Sequence, residues 1–335
     1  MLNNKVVLVT GGTGSFGQKM IETVLERYEP KRLIVLSRDE LKQFQMAERF
    51  PVERYDAMRY LIGDVRDRDR LYRAFDEVDV VVHAAAMKQV PACEYNPIEA
   101  IRTNIMGAAN VIDAAIDRGV EKVVALSTDK AANPINLYGA TKLASDKLFT
   151  SASAYAGAHL TRFSVVRYGN VIDSRGSVIP LFRRARKEGV LPITDPRMTR
   201  FWITLQEGVN FVLRVLEMMQ GSEIFVPKIP SMNIMNVAAA VGPGCETRMI
   251  GIRPGEKLHE VMIPEDDSHN TFEYSDHFRI LSGTQDGRSG DGSTVDGGNR
   301  CEDDFKYSSD RNDQWLSVDD LRAMLDSGET LRTST

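Results

Sequence analysis

Leu126-Ser127-Thr128-Asp129-Lys130, followed by Tyr138-Gly139-Ala140-Thr141-Lys142, places five proton-handling side chains close together in the chain. The apolar run Val123-Val124-Ala125-Leu126 delivers a hydroxyl, a carboxyl and an amine in three consecutive residues, and the tyrosine and lysine follow at helical i, i+4 spacing. Tyr138 and Lys142 on one helical face, with Thr128 on the adjacent strand, suit removal of a proton from an alcohol. An ammonium beside a phenol stabilises the phenolate and lowers the tyrosine pKa, and a nicotinamide alongside lets the alcohol carbon give up hydride. Asp129 and Lys130 add a second capacity. Oxidation at a sugar C4 acidifies the C5 proton, which a neutral lysine can remove while a protonated aspartic acid donates to the leaving C6 hydroxyl. This chemistry requires a lowered Lys130 pKa and a raised Asp129 pKa; partial burial does both, and Lys142 with an oxidised nicotinamide further disfavours a charged Lys130. The competing reading is an Asp–Lys surface pair at a strand end.

The elements that must position this cluster alternate. Lys5 to Thr10 is a short β-branched run, and Gly11-Gly12-Thr13-Gly14-Ser15-Phe16-Gly17 follows it before a helical pattern carrying Met20, Ile21, Val24 and Leu25. A glycine loop between strand and helix lets backbone N–H groups approach a pyrophosphate. A second strand, Arg32 to Leu36, ends in Ser37-Arg38-Asp39, where the adenosine ribose is met. Arg38 favours the 2′-phosphate of NADP, and Asp39 leaves NAD open. A third strand ends at Asp64-Val65, with Asp64 placed to meet an adenine amino group, and a fourth ends in Ala84-Ala85-Ala86, small enough for a flat cofactor. Helical stretches at 68–75 and 97–118 separate them, and 137–155 carries the Tyr-Lys pair. The fold class is therefore α/β, a Rossmann-type doubly wound parallel sheet with a smaller, interleaved C-terminal substrate region.

Residues 1–168 are expected to form the dinucleotide-binding domain, rejoined by 204–227, with 169–203 and 228–281 as the substrate-binding region. Within that region 174–180 reads as loop, 181–187 as a basic helix and 192–202 as irregular. The charges around Arg253-Pro254-Gly255-Glu256-Lys257 suit a diphosphate and ribose, with a solvated turn as the plainer reading. Residues 282–300, rich in Gly, Asp and Ser, read as a flexible loop, and 301–335 as a tail with a short helix capped by Ser317 and anchored by Trp315.

Lys and Arg number 42 against 47 Asp and Glu, a net charge of −5 that argues against a nucleic-acid partner. The N-terminus enters a strand without a signal-peptide pattern, and no apolar run reaches membrane-spanning length, so a cytoplasmic protein with no membrane partner is expected. Cys93, Cys245 and Cys301 are widely separated, and the five histidines lack ligand spacing, so neither a disulfide framework nor a metal site is expected. His83, at a strand end, and His259, in a helical stretch, read as packing or hydrogen-bonding residues.

The segments 10–17, 37–43, 83–88, Ser-Thr-Asp-Lys-Ala (127–131), Tyr-Gly-Ala-Thr-Lys (138–142), Arg-Tyr-Gly-Asn-Val (167–171), 198–204 and Arg-Pro-Gly-Glu-Lys-Leu-His-Glu (253–260) carry a resemblance. From about Leu2 to about Phe278 the chain resembles the inverting UDP-N-acetylglucosamine 4,6-dehydratases of the extended short-chain dehydrogenase/reductase superfamily, the type that opens the pseudaminic acid pathway. In the related retaining enzymes the residue after the aspartate is typically glutamate; Lys130 is similar to the inverting kind. Gln89 stands where pseudaminic-type members usually carry histidine.

The resemblance implies a tightly bound, recycled NADP, with NAD the lesser alternative, held by Gly11, Thr13, Gly14, Ser15, Phe16, Gly17, Ser37, Arg38, Asp64, Val65, Ala84, Ala85, Ala86, Tyr138 and Lys142. It implies C4 oxidation by Tyr138 with Thr128 and Lys142, C5 deprotonation by Lys130, C6 hydroxyl protonation by Asp129, and hydride return to C6 with C5 inverted. The product is then UDP-2-acetamido-2,6-dideoxy-β-L-arabino-hexos-4-ulose. Lys88, Asn170, Arg200, Arg253 and Glu256 are implied substrate ligands for UDP-GlcNAc, and a homo-oligomer, a dimer or higher, is implied. Two alternatives stand beside it. A UDP-sugar 4-epimerase would use Tyr138 and Lys142 and leave Asp129 and Lys130 idle, and a non-catalytic NADP-sensing protein would bind nucleotide without turnover.

Overall fold

The computed structural model describes residues 1–156, 160–172, 177–282 and 294–326. Its first half alternates strand and helix as the periodicity requires: β1 (Val6–Thr10), α1 (Ser15–Arg27), β2 (Arg32–Ser37), α2 (Glu40–Arg49), β3 (Met58–Ile62), α3 (Arg68–Ala74) and β4 (Val80–His83). Next come α4 (Val90–Tyr95), α5 (Pro97–Ile101), α6 (Gly107–Asp117), β5 (Lys122–Thr128), α7 (Leu137–Tyr155) and β6 (Arg162–Tyr168). β1 and β4 are buried at every residue, which a parallel sheet covered by helices on both faces demands. The second half holds β7 (Asn170–Val171), α8 (Val178–Ala185), β8 (Val190–Ile193), β9 (Thr199–Ile203), α9 (Leu205–Met218), β10 (Glu223–Pro227), β11 (Ser231–Asn233) and α10 (Ile234–Val241). It closes with β12 (Glu246–Met249), β13 (Val261–Ile263), β14 (Thr271–Glu273), β15 (His277–Leu281), β16 (Thr294–Val295), β17 (Gly298–Arg300), β18 (Tyr307–Ser308) and α11 (Val318–Asp326).

The expected doubly wound sheet is present. Strand order runs β3-β2-β1-β4-β5-β6-β10, all parallel, and reverses direction between β1 and β4, the crevice where such sheets bind ligands. β5 and β6 pair over seven residues, from Lys122 opposite Arg162 to Thr128 opposite Tyr168, so Thr128 ends level with Tyr168 at the carboxyl edge. Gly17 allows α1 to sit close on the first loop, since a Cβ there would lie 2.5 Å from the Gly12 Cα and carbonyl oxygen.

Two stretches depart from expectation. The sheet continues past β10 with β15, β14, β17 and β16, all antiparallel, so 271–281 and 294–300 extend the main sheet; residues 283–293 of the expected loop lie outside the described residues. Short strands with a Tyr274–His277 reversal between them carry too few residues for a clear period-two signal. Residues 192–202, read as irregular, include the end of β8 and most of β9, split by a turn at Asp195–Met198 whose polar residues mask the inward Leu191, Ile193, Phe201 and Ile203.

A second apolar core joins β8, β9, α8 and α10 around Phe182, Ile193, Trp202 and Val237, and the tail reaches it through Leu321 of α11. Of the loop expected at 174–180, residues 173–176 lie outside the described residues, and the basic helix starts earlier, at Val178. Ser317 caps α11 by a reciprocal pair of bonds: its Oγ accepts from Asp320 N at 3.1 Å, and its backbone N donates to Asp320 Oδ2 at 2.8 Å. Trp315 tethers the tail by backbone pairing with Ser231, while its ring stays half-exposed. Residues 327–335 of the expected tail lie outside the described residues. Among the described residues no helix is long and apolar enough to cross a membrane.

Candidate active site

A cleft of about 1000 Å³ opens along the carboxyl ends of β1, β4 and β5. Its lining includes Gly11, Thr13, Gly14, Ser15, Phe16 and Gly17 after β1, Ser37 and Arg38 after β2, Asp64 and Val65 after β3, and Ala84, Ala85, Ala86 and Lys88 after β4. Thr128, Lys130, Tyr138, Lys142, Asn170, Arg200, Arg253 and Glu256 line the same cleft. Asp129 is absent from the wall: it is fully buried and meets the cleft through Thr128 and Lys130.

At the dinucleotide end, Thr13 Oγ1 and Ser37 Oγ share a hydrogen at 2.8 Å, tying the glycine loop to β2. Asp39 caps α2, accepting from Lys42 N at 3.0 Å and from the Lys42 ammonium, which holds its carboxyl below the usual range. The Arg38 side chain is 59% exposed and its Nη1 lies 3.4 Å from Asp64 Oδ2. These residues fit a nicotinamide dinucleotide. The glycine loop has no Cβ to obstruct a pyrophosphate, and the ribose corner presents Arg38 and Lys42, with Asp39 engaged by its helix.

At the reacting end, β5 runs into a single 3-10 turn, Asp129–Ala131. Gly139, in the first turn of α7, lets that helix press against it, for a Cβ there would fall 2.2 Å from the Lys130 carbonyl oxygen. Thr128 Oγ1 donates to Asp129 Oδ1 at 3.0 Å, and Thr128 stands beside the Tyr138 phenol, where it favours the phenolate. Lys130 Nζ donates to Asp129 Oδ1 at 3.0 Å and lies 3.2 Å from Glu260 Oε1, with Arg200 Nε 3.7 Å from that same oxygen. Thr128, Asp129 and Lys130 thus form one hydrogen-bonded group on Asp129 Oδ1, with Tyr138 beside it.

Electrostatics correct the expected charges in two places. Burial lowers the Lys130 pKa, but the Asp129 and Glu260 carboxylates outweigh it and the net shift is upward. The sequence reading set only cations against Lys130; Glu260, 130 positions away in the chain, reverses the sign. The Tyr138 phenol is pushed up to about 12 by burial, and the cation that acts on it most is Lys130, where Lys142 was expected. Lys142 is itself lowered by burial, with Asp146 opposing. Burial raises Asp129. His83, lowered to about 3 by burial and by Lys142, shares a hydrogen with Thr10 Oγ1 at 2.8 Å. His259 lies in a bend, outside any helix, and shares one with Thr199 Oγ1 at 2.8 Å. Among the described residues no three His, Cys, Asp or Glu cluster as a metal site.

Several contributors went unread in the sequence. Glu260 is 2% exposed and closes the 253–260 motif, but the charge count around the Pro–Gly turn stopped at Lys257. Lys257 Nζ donates to Ala132 O at 2.6 Å, and Asn136 both caps α7 and donates to Gly255 O at 2.8 Å, so this turn is fastened to the start of α7. The expected single helix at 97–118 is interrupted by a π turn, Arg102–Met106, that aims Asn104 inward. Asn104 bonds both polar groups of the Met87 backbone and, at 2.9 Å, Thr141, fixing the Lys88 loop against α7. Arg200 donates to the carbonyls of Thr199, Lys257 and Leu258, bracing the same turn.

The polysaccharide biosynthesis protein family matches residues 7–282. The chain is 55% identical, over 96% of its length and 97% of the relative, to a UDP-N-acetylglucosamine 4,6-dehydratase (inverting) of Campylobacter jejuni subsp. jejuni serotype O:23/36 (strain 81-176). It is 42% identical, over 84% of each chain, to a UDP-glucose 4-epimerase of Rickettsia canadensis (strain McKiel). The X-ray structure of Pen from Bacillus thuringiensis superposes with a TM-score of 0.87 at 38% identity, covering 97% of this chain and 99% of that one. By this match and these similarities the chain belongs to the polysaccharide biosynthesis protein family, in the group of the inverting UDP-N-acetylglucosamine 4,6-dehydratases.

Proposed function

We propose that the protein is an enzyme, a sugar-nucleotide 4,6-dehydratase that removes water from UDP-N-acetylglucosamine and inverts C5, giving UDP-2-acetamido-2,6-dideoxy-β-L-arabino-hexos-4-ulose for a pathway of the pseudaminic acid type. The observation that carries the reading is the Lys130 ammonium on Asp129 Oδ1 at 3.0 Å, with Thr128 donating to the same oxygen and Tyr138 lining the cleft beside them. An epimerase needs the Tyr138 end of that chain and has no use for the other. A bound nicotinamide dinucleotide supplies hydride acceptance at C4 and hydride donation at C6. Tyr138, with Thr128, takes the proton of the C4 hydroxyl; Lys130 takes the C5 proton; Asp129 gives a proton to the departing C6 hydroxyl. Lys88, Asn170, Arg200, Arg253 and Glu256 would hold the nucleotide sugar, with Arg253 facing the diphosphate and Glu256 the uridine ribose. Incubation with UDP-GlcNAc in deuterated water is expected to give a 4-keto-6-deoxy product carrying deuterium at C5. Recovery of UDP-GalNAc alone would sink the dehydratase in favour of an epimerase, and binding without turnover would favour the sensing protein.

The cofactor is read as NADP, because Asp39 is engaged in capping α2 while Arg38 and Lys42 present cations at the same corner. Arg38→Ala is expected to weaken NADP binding by about tenfold or more while changing NAD binding little, as titration calorimetry would record. Equal loss for both cofactors would count against the assignment. The reading includes a homo-oligomer, a dimer or higher.

A further inference from the structure

Lys130 sets one ammonium between two buried carboxylates. Its Nζ lies 3.0 Å from Asp129 Oδ1 and 3.2 Å from Glu260 Oε1. Asp129 is fully buried and Glu260 nearly so, and each has its second oxygen, Oδ2 or Oε2, buried without a hydrogen-bond partner among the described residues. Two carboxylates on one ammonium resist being ionised together, so one of them keeps its proton. The remaining cations decide which. Lys257 acts on both carboxylates, and Arg200 adds its Nε 3.7 Å from Glu260 Oε1. Burial and the Glu260 charge raise Asp129 against the pull of Lys130. For Glu260 burial is outweighed by Lys130, Arg200 and Lys257, which hold its carboxyl below the usual range.

The geometry points to Glu260 as a positioning residue that takes the place of Asp129 as the counter-charge of Lys130, so that Asp129 keeps the proton it gives to the C6 hydroxyl. Left to themselves, an aspartate and a lysine 3.0 Å apart settle as carboxylate and ammonium, and a carboxylate has no proton to donate. In the elimination the C5–H electron pair becomes the C5–C6 double bond and Lys130 takes the proton. The C6–O bond breaks, and the Asp129 proton leaves with the hydroxyl as water. This role rests on the reading of Asp129 as the acid. The titratable groups facing Asp129 are Lys130 from its own turn, Tyr138 from α7, and Glu260 and Lys257 from the stretch before β13. Lys130 keeps one charged carboxylate partner either way, Glu260 in the wild type and Asp129 in its absence, so the loss of Glu260 falls on the acid and spares the base.

Glu260 is held for this role from the tail. Its backbone N donates to Ser309 Oγ at 2.9 Å and its carbonyl accepts from Ser309 N at 2.8 Å, while Ser309 Oγ shares a hydrogen with Thr199 Oγ1 at 2.7 Å.

The test uses the full-length protein with NADP and UDP-GlcNAc in deuterated water, between about pH 5.5 and pH 8. Elimination is scored as 6-deoxy product, and C5–H breakage as deuterium at C5 in product and recovered substrate together. Each is divided by C4 oxidised, taken from nicotinamide absorbance in a single turnover. The wild type is expected to hold a level elimination ratio up to about pH 7. Removing the Glu260 charge lowers the Asp129 pKa, so the proton is lost at lower pH. E260Q is therefore expected to lower the elimination ratio at pH 7 by about tenfold or more and to recover it by about tenfold per unit of acidification, with C5–H breakage within about threefold of wild type. E260D is expected to restore much of the level profile. A wild-type ratio that already falls about tenfold per unit between about pH 5.5 and pH 7 would overturn the proposal without any variant. So would an E260Q elimination ratio equal to wild type, or a loss that is independent of pH or shared equally by C5–H breakage, which would mark a purely structural role. Elimination that survives D129N at the wild-type rate would instead remove the Asp129 reading on which this stands.

Discussion

Lys130→Ala is expected to stop proton exchange at C5, a loss of about 10²–10⁴-fold, while C4 oxidation remains measurable. The variant removes the amine that meets both Asp129 and Glu260 and leaves Tyr138 and Thr128 untouched. Oxidation should nevertheless slow and move to higher pH. The Lys130 charge stabilises the Tyr138 phenolate, so removing it raises further a phenol that burial already holds at about 12. The measurement is the wild-type assay in deuterated water, following reduced nicotinamide and C5 deuterium together. Undiminished exchange at C5 would exclude Lys130 as the base, and loss of both steps in equal measure would point to a failure of binding.

Asp146→Ala should cost the fold about 3–5 kcal/mol. Arg167, 1% exposed in β6, places Nη2 3.1 Å from Asp146 Oδ2, and its Nη1 donates to Met262 O at 2.8 Å. Ser127 Oγ also donates to Asp146 Oδ2, at 2.8 Å, so one carboxylate ties α7 to both β5 and β6. Alanine leaves a buried guanidinium without its counter-charge, the expensive way to break such a pair. Urea unfolding should show a lower midpoint at unchanged slope. Replacing both partners, as in Asp146→Leu with Arg167→Met, should lose less than the single change. A single-variant loss below about 1 kcal/mol would show that Arg167 finds another partner or water.

The dinucleotide half was legible because its signals are local. β1, β2 and β4 are apolar runs bounded by turn residues, and the glycine spacing at 11, 14 and 17 sits between one strand and one helix. The Asp39 cap was within reach as well, for an aspartate ahead of Glu40-Leu41-Lys42 is a helix-start pattern. Glu260 was not, because nothing within its own stretch distinguishes it from other carboxylates. Its place beside Lys130 depends on β9 and β13 and on the pairing of β13 with β18, which brings in the tail. The charge states of Lys130 and Tyr138 were misjudged for the same reason: each depends on which distant groups share its burial, and spacing along the chain carries no such information. β14, β16 and β17 escaped because strands of two or three residues have no period to read.

The bond between Ser309 and Glu260 also sets an order of assembly. All seven parallel strands are synthesised before residue 228, and their helices are complete by then. A growing chain can therefore shape its dinucleotide crevice while the residue that steadies Glu260 is still untranslated. The crevice takes shape early in the life of the polypeptide, and the Glu260 contact is closed among the last steps.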